Sequence, residues 1–138
     1  MSPSEEERCR AVCTKFGAAG FYKLLGMIPS SDGPGSSRVV MPFRQELVQL
    51  YGGVHGGAVL SIADAAVNLA LATTLDEGEN TSTIDISLSF LVPPGARDLE
   101  ARGTLMKRGR KVAFAECTVV AGNDEEIIAR AKAVLYVR

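Results

Sequence analysis

Apolar residues repeat at helical spacing near the start of the chain and again, more densely, in its middle. The first repeat is one face of a short amphipathic helix and consists of Cys9, Val12, Cys13 and Phe16. Ser4 and Glu7 fit a capping box at the start of this helix. Residues 54–74 are rich in Ala, Leu and Val, contain no Pro and are apolar on almost every side. This composition predicts a long helix buried within its domain.

Alternation of apolar and polar residues predicts strands in the second half of the chain. In the clearest run the apolar face consists of Ile84, Ile86, Leu88, Phe90 and Val92, and the polar face of Thr83, Asp85, Ser87 and Ser89. Residues 99–107 and 111–121 are predicted to form a hairpin, and a last strand has its apolar face starting at Ile127. Before the long helix, residues 21–28 and 38–43 are predicted as two further strands.

The order of elements is therefore a helix, two strands, the long helix and four strands. We expect the last four strands to follow one another in consecutive antiparallel connection, with the sheet curled around the long helix in an α+β arrangement. A chain of 138 residues can build one continuous core but lacks the residues for a second. We predict a single domain over residues 1–138.

Composition excludes several classes of partner. Fifteen basic and sixteen acidic residues give a net charge of -1, which argues against nucleic-acid binding. The longest apolar stretch, residues 58–72, is shorter than a bilayer span and contains Asp64 and Asn68, so no membrane segment is expected. The N-terminus has no basic start with an apolar run behind it, which indicates a cytoplasmic protein. One histidine and three cysteines in no zinc-ligand pattern predict reduced thiols and no metal site.

The segment before the long helix is the most informative part of the sequence. Residues 49–57 read Gln-Leu-Tyr-Gly-Gly-Val-His-Gly-Gly and lead directly into the helix. The first turn of a helix offers backbone N–H groups without intrahelical partners and the positive end of the helix dipole, so it can stabilise an oxyanion. Gly56 and Gly57 allow a ligand to approach that backbone closely. Farther along, one polar stripe of the helix is expected to line a cleft and consists of Gly57, Ser61, Asp64 and Asn68.

Helix geometry restricts how this segment can work. His55 and Asp64 are nine residues apart, which places them roughly 13 Å apart along the axis and on opposite faces. They cannot converge within one subunit. If the helix N-terminus and the carboxylate serve one substrate, the carboxylate must come from a second copy of the chain.

The chain resembles the hotdog-fold acyl-CoA thioesterases of the PaaI-like, phenylacetate-degradation type. The resemblance rests on His-Gly-Gly at the head of the central helix, on an acid nine positions after the histidine, and on Thr83-Ile84-Asp85 in the following strand. The resemblance runs in element order from about residue 38 to the C-terminus. It implies an antiparallel sheet wrapped around a long central helix. The implied activity is hydrolysis of a small or aromatic acyl-CoA to the free acid and CoA, without cofactor or metal. The implied assembly is a homodimer, or a homotetramer of two dimers, with active sites at the dimer interface.

The resemblance also implies roles for the helix. The amide of Gly56 contacts the thioester oxygen, with Gly57 beside it in the substrate-binding part of the site. Asp64 acts as the nucleophile or as the general base that activates water, and the two roles remain open. His55 is included among the catalytic residues, although a lone histidine beside glycines more often orients a loop than transfers protons.

Three further residues receive supporting roles by the same resemblance. Gln49 helps to hold the thioester or the water, Thr83 positions the hydrolytic water, and Asn68 supports the carboxylate. Without the resemblance, Gln49 is an ordinary loop amide and Thr83 a strand hydroxyl bonded to backbone, and these readings stay open.

The densest basic cluster, Arg108, Arg110 and Lys111, lies at the predicted hairpin tip. We hypothesise that it contacts the phosphates of coenzyme A. A solvated tip that discourages edge pairing is an equal alternative. For the whole chain, the alternative to an enzyme is a non-catalytic binder of acyl-CoA or another hydrophobic ligand. A hydratase would need an active histidine with its own partners, and the sequence shows no such motif.

Overall fold

The structure, a computed structural model, describes residues 1–138, and two helices open the chain. Helix α1 (Pro3–Gly17) starts with a capping box made by Ser2 and Glu5: the Ser2 hydroxyl accepts the Glu5 N–H (3.2 Å), and the Glu5 carboxylate accepts the Ser2 N–H (3.0 Å). The capping box predicted at Ser4 and Glu7 is therefore wrong by two residues. Pro3 explains the earlier start, because proline is favoured at the first position of a helix.

Residues 21–28 were predicted as a strand, and this is wrong for most of the segment. Helix α2 (Gly20–Leu25) occupies it and ends at Gly26, whose φ of 71° is the left-handed conformation in which helices commonly stop. A short apolar run does not by itself distinguish a strand from a short helix. Only strand β1 (Ile28–Ser30) follows.

Six strands form one antiparallel sheet: β1, β2 (Ser36–Met41), β3 (Thr81–Phe90), β4 (Leu99–Arg108), β5 (Val112–Ala121) and β6 (Glu126–Val137). Their spatial order is β1-β2-β4-β5-β6-β3. The predicted consecutive connection holds for β4, β5 and β6 but is wrong for β3, which pairs with β6 and forms one edge of the sheet. Residues 91–98, which include Pro93 and Pro94, pass β6 and β5 to reach β4 instead of turning back as a hairpin.

Helix α3 (Gly56–Ala72) packs against β2, β3, β4, β5 and β6. Its close approach to β4 depends on Gly103, because a Cβ at that position would lie 2.6 Å from the carbonyl oxygen of Ala66 on the helix. The sheet thus wraps around one buried central helix, and the predicted hotdog fold is confirmed. No helix in the structure is both long and apolar enough to span a bilayer.

A β-bulge in β3 changes which residues face the helix. The register with β6 shifts between Thr83 and Asp85, which leaves Ile84 without a partner and 57% exposed. Because of this extra residue, Thr83 faces α3 on one side of the bulge, while Ile86 packs against the core on the other. The prediction that Thr83 lies on the polar face, opposite the apolar residues, is therefore wrong.

A second bulge has the same effect in β6. The register with β5 shifts between Val119 and Val120, so that Ile128 is fully buried while Ile127 is 42% exposed. Ile127 was predicted on the core face, and this is wrong. Beyond the bulge, the predicted alternation of buried Ala, Leu and Val residues with exposed charges is correct.

Candidate active site

The head of α3 has one backbone donor without a partner. His55 is the N-cap residue, and its Nδ1 accepts the N–H of Gly57 at 2.8 Å. The His55 carbonyl accepts the N–H groups of Ala58 (2.9 Å) and Val59 (3.2 Å). The Gly56 N–H makes no hydrogen bond within the chain. Of the N–H groups in the first turn, the Gly56 N–H alone is therefore available to a ligand.

This geometry also defines what His55 does in the fold. An imidazole whose Nδ1 accepts a hydrogen bond has its ring proton on Nε2 when neutral. The ring of His55 is exposed and holds the first turn of α3 in place through Gly57. His55 is therefore the cap of α3.

A groove of about 390 Å³ opens at the helix head. Its lining consists of Gln49, Val54, Gly56, Phe90, Leu91, Val92, Pro93 and Pro94. The Phe90 ring covers the glycine so closely that a Cβ at Gly56 would lie 3.2 Å from Phe90 Cζ. The groove is mainly apolar, and Gly56 forms part of its wall beside the Phe90 ring.

Gln49 lies in the same groove, on the loop that leads into α3. Its side-chain oxygen accepts the N–H of Tyr51, and its backbone N–H donates to the carbonyl of Gly53 (2.8 Å). The side-chain Nε2 has no hydrogen-bond partner within the chain. Gln49 thus has amide hydrogens without a partner in the groove that Gly56 also lines.

The carboxylate of Asp64 lies in a separate cluster farther along the helix. Its Oδ1 accepts the hydroxyl of Thr83 (2.6 Å) and the side-chain amide of Asn68 (3.2 Å). The same Asn68 amide donates to the Asp64 backbone carbonyl (2.9 Å) and to the Thr83 hydroxyl oxygen (2.8 Å). Asp64 Oδ2 has no partner within the chain. Three residues predicted for the site therefore lie in direct contact, and one carboxylate oxygen is left available.

Thr81 is a fourth member of this cluster, and the prediction missed it. Its hydroxyl donates to Asn68 Oδ1 at 2.7 Å. The signal was present in the sequence: Thr81 and Thr83 have the two-residue spacing of one strand face, while Asp64 and Asn68 have the four-residue spacing of one helix face. The pairing of the two faces could not be seen without the fold.

Tyr22 is a buried residue near the Asp64 carboxylate. Burial raises the pKa of Tyr22 above its ordinary value, and the nearby Cys13 and Asp64 raise it further. The phenol therefore stays protonated and is no candidate for a general base.

The helix head and the carboxylate cluster do not meet within one chain. Gly56 lies against Phe90 at the end of β3, whereas Asp64 lies against Thr83 near its start. Gly56 and Asp64 are eight positions apart on the helix, or roughly 12 Å along the axis. Asp64 does not line the groove at Gly56. Both groups can act on one substrate only if two copies of the chain combine.

The three residues of the basic cluster differ in exposure and in their ion pairs. Arg108 forms an ion pair with Glu79 (2.9 Å) and is partly buried, whereas Arg110 and Lys111 are exposed. The hairpin tip lies beside the start of β3, since the Lys111 carbonyl accepts the N–H of Val137, which pairs with Thr81. Two unpaired cations thus lie at the same end of the sheet as the carboxylate cluster.

Comparison with known proteins gives the family. The sequence model of the thioesterase superfamily matches residues 51–128, more than half of the chain, and this segment contains the helix head, Asp64 and Thr83. The chain belongs to the thioesterase superfamily. A candidate esterase of Halobacterium salinarum is 31% identical over 110 residues, which cover 76% of this chain and 72% of the relative.

Solved structures agree with this assignment. A thioesterase family protein from Silicibacter pomeroyi superimposes with a TM-score of 0.87 at 26% identity and covers 94% of this chain and 97% of its own. The PaaI protein of Escherichia coli, from the phenylacetic acid degradation operon, superimposes with a TM-score of 0.85 at 19% identity, over 95% of this chain and 94% of its own. At that identity the likeness to PaaI shows the fold alone.

Family membership gives the two clusters a chemical context. Hydrolysis of a thioester requires stabilisation of negative charge on the carbonyl oxygen and a group that supplies or activates the attacking oxygen. In this thioesterase-superfamily chain, the unpartnered Gly56 N–H suits the first requirement and the Asp64 carboxylate the second.

Proposed function

We propose that the protein is an acyl-CoA thioesterase that hydrolyses a small or aromatic acyl-CoA to the free acid and CoA, at sites formed between two copies of the chain. The observation that supports this most directly is the Gly56 N–H, which has no partner within the chain and lies at the wall of an apolar groove. An acyl group fits an apolar groove, and its thioester carbonyl fits an unpaired donor at the positive end of a helix.

The first part of the reaction is polarisation of the carbonyl. The Gly56 N–H and the Nε2 of Gln49 donate to the thioester oxygen, while Gly57 keeps the approach to the helix backbone open. These donors are held before the substrate arrives, because His55 caps the helix and the Tyr51 N–H fixes the Gln49 amide. Donors held in place in this way strengthen their interaction as charge develops on the oxygen.

The second part is attack on the carbonyl carbon by way of Asp64. As general base, Asp64 accepts a proton from water while the water oxygen bonds to the carbon, and collapse of the tetrahedral intermediate releases CoA as thiolate. As nucleophile, Asp64 bonds to the carbon itself, CoA leaves as thiolate, and water then hydrolyses the mixed anhydride. Both routes consume only the acyl-CoA and water and require no cofactor or metal.

The free edge of β3 supports assembly from two copies. This strand is ten residues long, has no neighbour on its outer side, and exposes Ile84 and Phe90, with the exposed Leu91 directly after its end. A long apolar edge of this kind readily pairs with another chain. In a two-fold antiparallel pairing of β3 strands, the Phe90 end of one copy lies beside the Thr81 end of the other. That pairing brings Gly56 of one copy towards Asp64 of the other, in a dimer or in a tetramer of two such dimers.

The exposed Arg110 and Lys111 are proposed to bind the phosphates of CoA. They lie at the end of the sheet where the carboxylate cluster lies, and both are unpaired within the chain. Arg108 contributes its charge but is held by Glu79. A negatively charged substrate is attracted to such a pair more strongly at low ionic strength.

The test of activity is the release of thiol from a panel of acyl-CoAs, with quantification of the acid product. We expect turnover of small or aromatic acyl-CoAs by the wild type and none by Asp64→Asn, which keeps the size of the side chain. A protein that is stabilised thermally by acyl-CoA but releases no thiol would be a binder instead, and the proposal would be rejected.

Complementation between inactive variants tests the shared site. Gly56→Pro removes the helix-head donor and Asp64→Asn removes the carboxylate. After subunit exchange between equal amounts of the two variants, half of the dimers are mixed and each mixed dimer has one intact site, so about a quarter of wild-type activity returns. No recovery in samples shown to contain mixed dimers would contradict a site built from two copies.

A further inference from the structure

We infer that Thr81 is a positioning residue of the hydrolytic site, and that the network it completes makes Oδ2 of Asp64 the reacting oxygen. The inference rests on the proposed function, in which Asp64 attacks or activates water. The network runs from Thr81 to Asn68, and from Asn68 to both Thr83 and Asp64, without a break.

The direction of each hydrogen bond follows from the number of protons available. The Asn68 amide has two hydrogens, and its nitrogen lies 2.9 Å from the Asp64 backbone carbonyl and 2.8 Å from the Thr83 hydroxyl oxygen. A backbone carbonyl can only accept, so the nitrogen must face Asp64 and the oxygen Oδ1 must face Thr81. The Thr81 hydroxyl donates to that oxygen at 2.7 Å and holds the amide in this orientation.

Thr83 is then left with one possible arrangement. Its oxygen accepts from Asn68, and its single proton is directed to Asp64 Oδ1 at 2.6 Å. The hydroxyl therefore has no proton left to donate to a water molecule. Its role is to orient the carboxylate, which differs from the water-positioning role that the resemblance implied.

The two oxygens of Asp64 consequently have different tasks. Oδ1 accepts the single proton of Thr83 at 2.6 Å, while Oδ2 has no partner within the chain. Because rotation of the carboxylate would break the bond from Thr83 to Oδ1, the free oxygen keeps a fixed direction. Oδ2 is the atom that bonds to the carbonyl carbon or accepts the proton of water.

The test compares Thr81→Val with Thr81→Ser in the wild-type and Asn68→Ala backgrounds. Valine keeps the branched shape that suits a strand but removes the hydroxyl, and serine keeps the hydroxyl. With the preferred acyl-CoA from the panel, Thr81→Val should lower kcat roughly fivefold with little change in KM, as expected for loss of one hydrogen bond. Thr81→Ser should restore most of the activity, and Thr81→Val should have little further effect in the Asn68→Ala background.

Each outcome decides a different question. Equal turnover by wild type and Thr81→Val, or a full additional loss from Thr81→Val in the Asn68→Ala background, overturns the positioning role. A loss of kcat that serine does not restore points to strand packing and also overturns it. If Asp64→Asn keeps wild-type turnover, the proposed function fails before Thr81 is considered. Thermal unfolding of each variant confirms that the folded protein is compared.

Discussion

The sharpest test of the helix head is the replacement of Gly56 by proline. Proline has no backbone N–H, and it is well tolerated at the first position of a helix. Gly56 is the first residue of α3, and its N–H makes no hydrogen bond within the chain, so the fold loses none. The preceding His55 has φ -63° and ψ 138°, an extended conformation that suits a residue before proline. The substitution thus removes the proposed oxyanion donor and leaves the helix intact.

The expected loss is large because a single oxyanion donor contributes much of the barrier reduction. Removal of one such donor lowers kcat by about 10²- to 10³-fold, or about 2.7–4 kcal/mol. The matched control is Gly56→Ala, which adds a Cβ but keeps the N–H. That Cβ would lie 3.2 Å from Phe90 Cζ, and the 52% exposed ring can move by the few tenths of an ångström required. We expect less than about a tenfold loss for alanine.

The assay is steady-state release of thiol from an acyl-CoA, with kcat and KM determined for wild type, alanine and proline variants. Circular dichroism and thermal unfolding establish that the helix is retained. If folded Gly56→Pro turns over within tenfold of Gly56→Ala, the Gly56 N–H is not the oxyanion donor, and the reasoning from unpartnered donors at the helix head is refuted.

Three further predictions concern packing, titration and substrate charge. Gly103→Ala should lower the free energy of unfolding by about 1–3 kcal/mol, because its Cβ would lie 2.6 Å from the Ala66 carbonyl oxygen. The control Gly20→Ala, whose Cβ would have no atom within 4 Å, should not lower it. Equal denaturation midpoints for the two variants would contradict this prediction. Burial raises the pKa of Cys117 to about 12 from 9.0, so its thiol should resist a thiol reagent at pH 8. The contribution of the protonated thiol to the free energy of unfolding should be fully present below pH 9 and should decline towards pH 12. Rapid labelling of the folded protein would contradict this prediction. Charge reversal of Arg110 and Lys111 should raise KM for acyl-CoA about fivefold at low salt. KM for an N-acetylcysteamine thioester, which has no phosphates, should stay unchanged. An equal rise for both substrates would exclude phosphate binding by these two residues.

Periodicity along the sequence predicted the α+β arrangement, and the resemblance carried by the His-Gly-Gly segment implied the hotdog family and the candidate site residues. A helix as apolar as residues 54–74 must be buried, and the four strands predicted after it supply the sheet that covers it. Fixed helical periodicity also placed His55 and Asp64 on opposite faces without any coordinates. Burial of the helix and the relative positions of His55 and Asp64 follow from the spacing of residues along one segment, so they need no knowledge of how distant segments pack.

The tertiary structure decided the features that depend on long-range pairing. The bulge at Ile84 turns Thr83 towards the helix, and strict alternation could not predict it because a bulge is created by the register with β6. The contact between Thr81 and Asn68 joins residues thirteen positions apart on two different elements. The edge position of β3 depends on how the connection of residues 91–98 crosses the sheet. Periodicity along a chain shows which residues share a face, but only packing shows which faces meet.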